Sequence, residues 1–257
     1  MNLAGMTHTP ITATFVGGPT LAFTYGGLTF LTDPTFDAPR DFPGPITLSK
    51  LEGPALAARD LGPLDVVLLS HDQHVDNLDD AGRELLADVP LVLSTPDAAS
   101  RIPGVRGLVA WEHVELPGGV VVTAVPARHG PEGAEALSGA VTGFVLEADG
   151  LPTTYVAGDN SSLDVVATIA TRFPAIELAV LFVGGANVGR FGDEPVTMDA
   201  ARARAAADLL DRARIVPVHH TDWAHFVEPL SAVVDRFEHG GVGDRLVVLE
   251  RGTPTEL

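Results

Sequence analysis

The chain contains no cysteine. Disulfides, thiolate nucleophiles and sulfur-ligated zinc are therefore excluded, and any metal must be held by His, Asp, Glu or amide groups. Basic residues are scarce: 16 Lys and Arg stand against 34 Asp and Glu, a formal net charge of −18. A field of that sign repels phosphate backbones and anionic lipid, which argues against nucleic acid and membrane as partners. The one lysine, Lys50, carries no functional reading in a chain rich in Arg, Ala and Gly. No apolar run approaches the ~20 residues that a membrane helix needs. The opening residues, MNLAGMTHTPITATF, lack the basic-then-apolar order of a secretory signal. A cytoplasmic protein is expected.

With 257 residues, 46% of them hydrophobic, and no low-complexity linker, one domain spanning residues 1–257 is expected, and a homo-oligomer is left open. ITATFVGGPTLAFTYGGLTFLTDP holds three apolar runs broken by Gly-Gly-Pro and Gly-Gly, which predicts an antiparallel meander over 11–32. DVVLLS, residues 65–70, reads as a strand buried on both faces. Further strands are expected at 90–94, 119–125, 141–147, 153–157, 177–183, 214–218 and 245–249. Helical spacing falls at 77–89, 162–172, 197–211 and 226–236, with Thr197 as a candidate N-cap. Early strands joined by turns and later strands alternating with helices predict a sheet sandwich covered by helices. GLTFLTD at 27–33 and GLPTTYVAGD at 150–159 echo one another, each a Gly-Leu, an apolar strand and an Asp.

Four of these strands end on chemistry: VVLLS runs into His71, VVVTAVPAR into His129, TTYVAG into Asp159 and RIVPV into His219. Any one such His is ordinarily a solvated loop residue, and Asp159 or Asp33 alone is an ordinary turn residue. Together they describe rigid strands delivering ligands to one edge, as a preorganised metal site requires. Imidazole and carboxylate donors suit zinc, manganese or iron and do not by themselves choose among them; zinc is the leading expectation.

In this order the motifs GGLTFLTDPTF, VVLLSHDQHVDNLD, PARHG, VAGDN and VPVHHTDWAHF resemble the metallo-β-lactamase-fold hydrolases. The branch they resemble contains ascorbate-6-phosphate lactonase and N-acylphosphatidylethanolamine phospholipase D. The resemblance implies an α/β fold, an αββα sandwich of two related halves, with one or two divalent ions activating water. It implies metal ligands His71, His74, Asp76, His129, Asp159 and His219, with Asp76 also catalytic and Asp159 bridging. The reaction implied is hydrolysis of an ester, lactone or phosphodiester of a small molecule.

HDQHVDNLD is one residue longer than the family's His-x-His-x-Asp-His-Leu-Asp. Aligned from the strand, Gln73 replaces the second ligand; aligned from the helix, Asp72 replaces the first and Asn77 replaces the third histidine. The simplest reading pairs His71 with His74 across a bulge and leaves a second metal weakened by Asn77. That defect also suits an alternative, a metal- or ligand-binding protein of the same fold with degenerate catalysis. Redox chemistry is a further rival. Trp223, His225 and Phe226 are candidate substrate-binding residues, although Trp223 and Phe226 equally suit plain packing. Arg128 suits either an anion contact or an ion pair. His220 is either a supporting or a surface group, and His8, His113 and His239 are expected at the surface.

Overall fold

Side chains alternate across a strand, so a run that is apolar at every position needs cover on both faces. The computed structural model describes residues 10–257 and supplies that cover with two sheets and two helical layers. Strands β1 (Thr12–Gly17), β2 (Thr20–Tyr25) and β3 (Leu28–Thr32) form the expected antiparallel meander. A small hairpin, β4 (Arg40–Phe42) and β5 (Leu48–Lys50), stands apart from the main sheets. The chain then returns through β6 (Val66–Leu68), α1 (Asp80–Leu85), β7 (Leu91–Ser94), α2 (Pro96–Arg101) and β8 (Val105–Gly107). These three strands add in parallel beside β3.

The second sheet starts antiparallel with β9 (His113–Leu116), β10 (Val120–Pro126), β11 (Thr142–Glu147) and β12 (Thr153–Val156), with the single turn α3 (Glu135–Ser138) before β11. It continues in parallel through α4 (Leu163–Arg172), β13 (Ile176–Phe182), α5 (Ala200–Leu209) and β14 (Arg214–Val218). After α6 (Leu230–His239), β15 (Thr255–Glu256) pairs with β1. Each sheet therefore places four antiparallel strands, β15-β1-β2-β3 and β9-β10-β11-β12, before a parallel neighbour. The echoing segments are the last antiparallel strands of the two sets, β3 and β12, and Asp33 and Asp159 follow them.

Val66, Leu68, Val180, Phe182, Val216 and Val218 meet between the sheets. Their alternates Ala179, Leu181 and Ile215 pack under α4, α5 and α6, and Val67 and Leu69 pack with Leu86 and Ile102 on the other side. The architecture is a four-layer αββα sandwich, the metallo-β-lactamase fold. Among the described residues no helix is long and apolar enough to cross a membrane.

Three local expectations are corrected. Asp199 caps α5, accepting from Arg202 N, because the Thr197 hydroxyl is engaged by Ala186 N at 2.8 Å. The last helix starts at Leu230 rather than 226, since Phe226 and its neighbours are drawn back by pairing with Ala186. Residues 245–249 form no strand; a single bridge joins Leu246 to Ile215 beyond which the run packs irregularly. His8 lies outside the described residues, while His113 and His239 are exposed.

Candidate metal centre

Strand direction assembles the site. β10 and β12 are separated by one antiparallel partner and so run the same way, and β13 and β14 continue parallel to β12. Their C-terminal ends leave one edge of the sheet carrying His129, Asp159 and His219. In the other sheet β3 and β6 are parallel, so Asp33 and the Ser70–His71 pair leave together, and Ser70 N donates to Asp33 Oδ1 at 2.6 Å.

Two groups of ligand atoms result. His71, His74, His129 and Asp159 form one, and Asp76, Asp159 and His219 form the other; within each group the atoms lie within 4.8 Å of one another. Asp159 belongs to both. His71 Nε2 and His74 Nδ1 face each other at 2.8 Å despite the extra residue between them. Asp72 is turned out of the centre: Arg101 Nε binds it at 2.9 Å and Arg101 Nη2 at 2.5 Å. Burial would raise the Asp72 carboxyl, but the Arg101 hydrogen bonds and charge outweigh it and hold it below the usual range. Gln73 is exposed at the rim.

His129 Nδ1 lies 2.8 Å from the Val196 carbonyl, and a carbonyl only accepts, so Nδ1 carries the proton and Nε2 keeps its lone pair. Burial, reinforced by His74, pushes His71 down to about 3, which keeps it in the neutral form a metal requires. Burial lowers His129 as well. His219 is raised, since Asp159 and Asp76 outweigh the burial that would lower it. It also adopts a left-handed backbone, φ 60°, held by its N–H to Gly18 O at 2.6 Å. Such strain persists only where surroundings fix it.

The donor set fits a divalent cation. Asp159 Oδ2 and both ring nitrogens of His219 are buried with no hydrogen-bond partner, an arrangement that costs free energy unless something else engages their lone pairs. Asn77 presents its amide nitrogen to Asp159 Oδ1 at 3.1 Å and to Asp33 Oδ2 at 3.5 Å, linking the two strand-end aspartates. Asp76 lies 2.9 Å from His225 Nε2 and 3.5 Å from His219 Nε2. Burial would raise Asp76, yet His225 and His219 hold it well below its ordinary value.

A cavity of about 410 Å³ opens above this centre, with His74, Asp76, His129 and His225 on its floor. Of the three candidate substrate residues, only His225 lines it. Trp223 is buried behind the wall, its ring 5.4 Å from that of Phe42, and Phe226 packs 4.3 Å from the His219 ring. Sequence reasoning missed Phe42, Ile46, Val188, Arg190 and Phe191, which complete the walls from the hairpin and from the loop after β13. Arg128 is half-buried, and its backbone N–H donates to Asn160 Oδ1 at 3.0 Å; it does not line this cavity. The His220 ring packs tilted against Phe15, with ring centroids 5.3 Å apart.

The profile described as the Beta-lactamase superfamily domain matches residues 29–220. The chain belongs to that superfamily. Within it, the chain is similar to the UPF0173 metal-dependent hydrolase of Pyrococcus abyssi, at 29% identity over 205 residues, covering 77% of this chain and 84% of that protein. Among solved structures it superposes on an isothiocyanate hydrolase from Delia radicum gut bacteria with TM-score 0.82 and 22% identity, covering 96% of this chain and 98% of the other. A possible metal-dependent hydrolase from Veillonella parvula gives TM-score 0.83 and 21% identity, covering 97% and 100%. These superpositions speak for the superfamily fold, and the two donor groups sit at its strand ends.

Proposed function

We propose that this metal-dependent hydrolase of the beta-lactamase superfamily cleaves an ester, lactone or phosphodiester bond of a small molecule. The observation that carries the reading is Asp159 shared between two buried ligand groups at the floor of a cavity. His71, His74, His129 and Asp159 would hold one divalent ion, zinc on the preference of three imidazoles and a carboxylate, with manganese or iron as alternatives. A divalent ion bound there supplies a lowered water pKa and polarisation of the scissile carbonyl or phosphoryl group. Val196 O fixes the tautomer of His129, and Ser70 Oγ sits 2.9 Å from His71 Nδ1, so both rings are held for their task. Asp76, held by His225 and lining the cavity, would orient the attacking water. The strand motifs further support the lactonase and phospholipase-D branch.

Purified without chelator, the protein is expected to carry metal by elemental analysis and to lose thermal stability in chelator, regaining it on readdition. Turnover of a panel of esters, lactones and phosphodiesters is expected to follow metal content. No metal and an indifferent melting curve would refute the reading; tight metal with no turnover across the panel would favour the degenerate binding protein.

The second position, Asp76, Asp159 and His219, is weaker because Asn77 offers an amide in place of imidazole. One ion is therefore expected to survive dialysis, and Asn77→His is expected to raise stoichiometry toward two. Two tightly held ions in the unaltered protein would contradict this.

A further inference from the structure

The cavity walls carry information about substrate that the floor does not. From the hairpin come Phe42 and Ile46, from the loop after β13 Val188 and Phe191, and from α3 Leu137, which is 61% exposed at the mouth. Arg190 is the one arginine or lysine lining the cavity; it is exposed, and its Nη1 already donates to Leu137 O at 2.9 Å. A phosphorylated or polyhydroxylated ligand would find few donors on such walls and would leave its polar groups unpaired as water is expelled. The net charge of −18 opposes a polyanion further.

We infer that the part of the substrate beyond the scissile bond is an uncharged hydrocarbon chain of medium length, seated between the hairpin and the loop after β13. This rests on the hydrolase reading and narrows it to carboxylic esters or lactones of apolar acids. The cavity, about 410 Å³, lies within the range of roughly 300–1,000 Å³ typical of sites that enclose a small ligand. The hairpin is not a free flap. Ala224 N donates to Ser49 O at 3.0 Å and Leu51 N to Asp222 O at 2.5 Å, while Trp223 packs behind Phe42. The apolar wall is thus preformed, and each methylene placed on it leaves water without first ordering a loop.

The test uses straight-chain alkyl hydroxamates, from acetohydroxamate to decanohydroxamate, titrated calorimetrically into the protein as purified. Affinity is expected to tighten about two- to fourfold per methylene until the cavity is full, the step that burial of one CH₂ produces. Ile46→Asp, which puts a charge on the wall, is expected to flatten that slope. A flat series in the unaltered protein, or tighter binding of a phosphorylated hydroxamate of equal size, would overturn the inference. A matching series of p-nitrophenyl esters separates this from the parent reading. A hydroxamate slope without ester turnover would sink the ester reading and keep the apolar site. Turnover indifferent to chain length would keep the hydrolase and sink the apolar site.

Discussion

Asp159→Asn is expected to lose most of the bound metal and more than 100-fold in hydrolysis while leaving the fold assembled. Asp159 is the one side chain in both donor groups, and it is fully buried. Altering even a group that supports a ligand costs about 10–100-fold in metal affinity or activity, so replacing the shared ligand costs more. The isosteric amide still has an oxygen for the Asn77 amide nitrogen, which sits 3.1 Å from Oδ1, so secondary structure is expected to persist. The variant also changes how the metal-free protein responds to acid. Burial would raise the Asp159 carboxyl, but His219, His129 and His71 outweigh it and hold its pKa below the ordinary value. A depressed carboxylate stabilises the fold above its unfolded pKa and loses that contribution as pH falls through the folded one. The metal-free parent should therefore lose stability more steeply than Asp159→Asn on acidification below the usual carboxylate range. Elemental analysis and melting curves across pH check both parts; full metal content and activity in the variant would return Asp159 to an ordinary turn residue.

The candidate metal centre was legible in the sequence because its residues follow closely on strands whose composition announces them. Once β10, β12 and β14 are recognised as running the same way, His129, Asp159 and His219 have to share an edge. The register of the first motif was not legible, since what decides it is remote: Arg101, 29 positions from Asp72, draws that carboxylate out and leaves His71 facing His74. The cavity walls were hidden for a different reason. RDFPGPITLSK is broken by prolines and glycine, and its strands of three residues have too little length to show a period. Trp223 and Phe226 were visible as aromatics, but nothing local distinguishes a ring that faces substrate from one that braces the wall behind it. The same holds for Lys50, whose composition reading misses its structural place entirely.

Asp79→Ala is expected to destabilise the protein by about 3–5 kcal/mol, the cost of leaving a buried ion-pair partner uncompensated. Lys50 Nζ meets Asp79 Oδ2 at 2.9 Å, and both side chains are wholly buried. The Asp79 carboxylate is a hub. Oδ1 accepts from Phe36 N at 2.9 Å and Gly82 N at 2.8 Å, capping α1, and Oδ2 also accepts from Asp37 N at 2.8 Å. Lys50 lies at the end of β5, with Nζ 5.5 Å from the Trp223 ring, so the pair ties the cavity hairpin to the helix that follows the loop carrying His71 and His74. Removing Asp79 strands an ammonium in an apolar setting and undoes a helix cap together. Removing the lysine is less severe: Lys50→Met fills similar space and leaves the carboxylate three backbone N–H donors. The two substitutions should therefore be unequal, with Asp79→Ala lowering Tm by roughly 10 °C for a chain of this size and Lys50→Met by clearly less. Because the partners touch, the double variant should cost less than the two single losses added. Equal and additive losses in a thermal denaturation cycle would show that the pair does not act as a unit and that the hairpin is held by its backbone bonds alone.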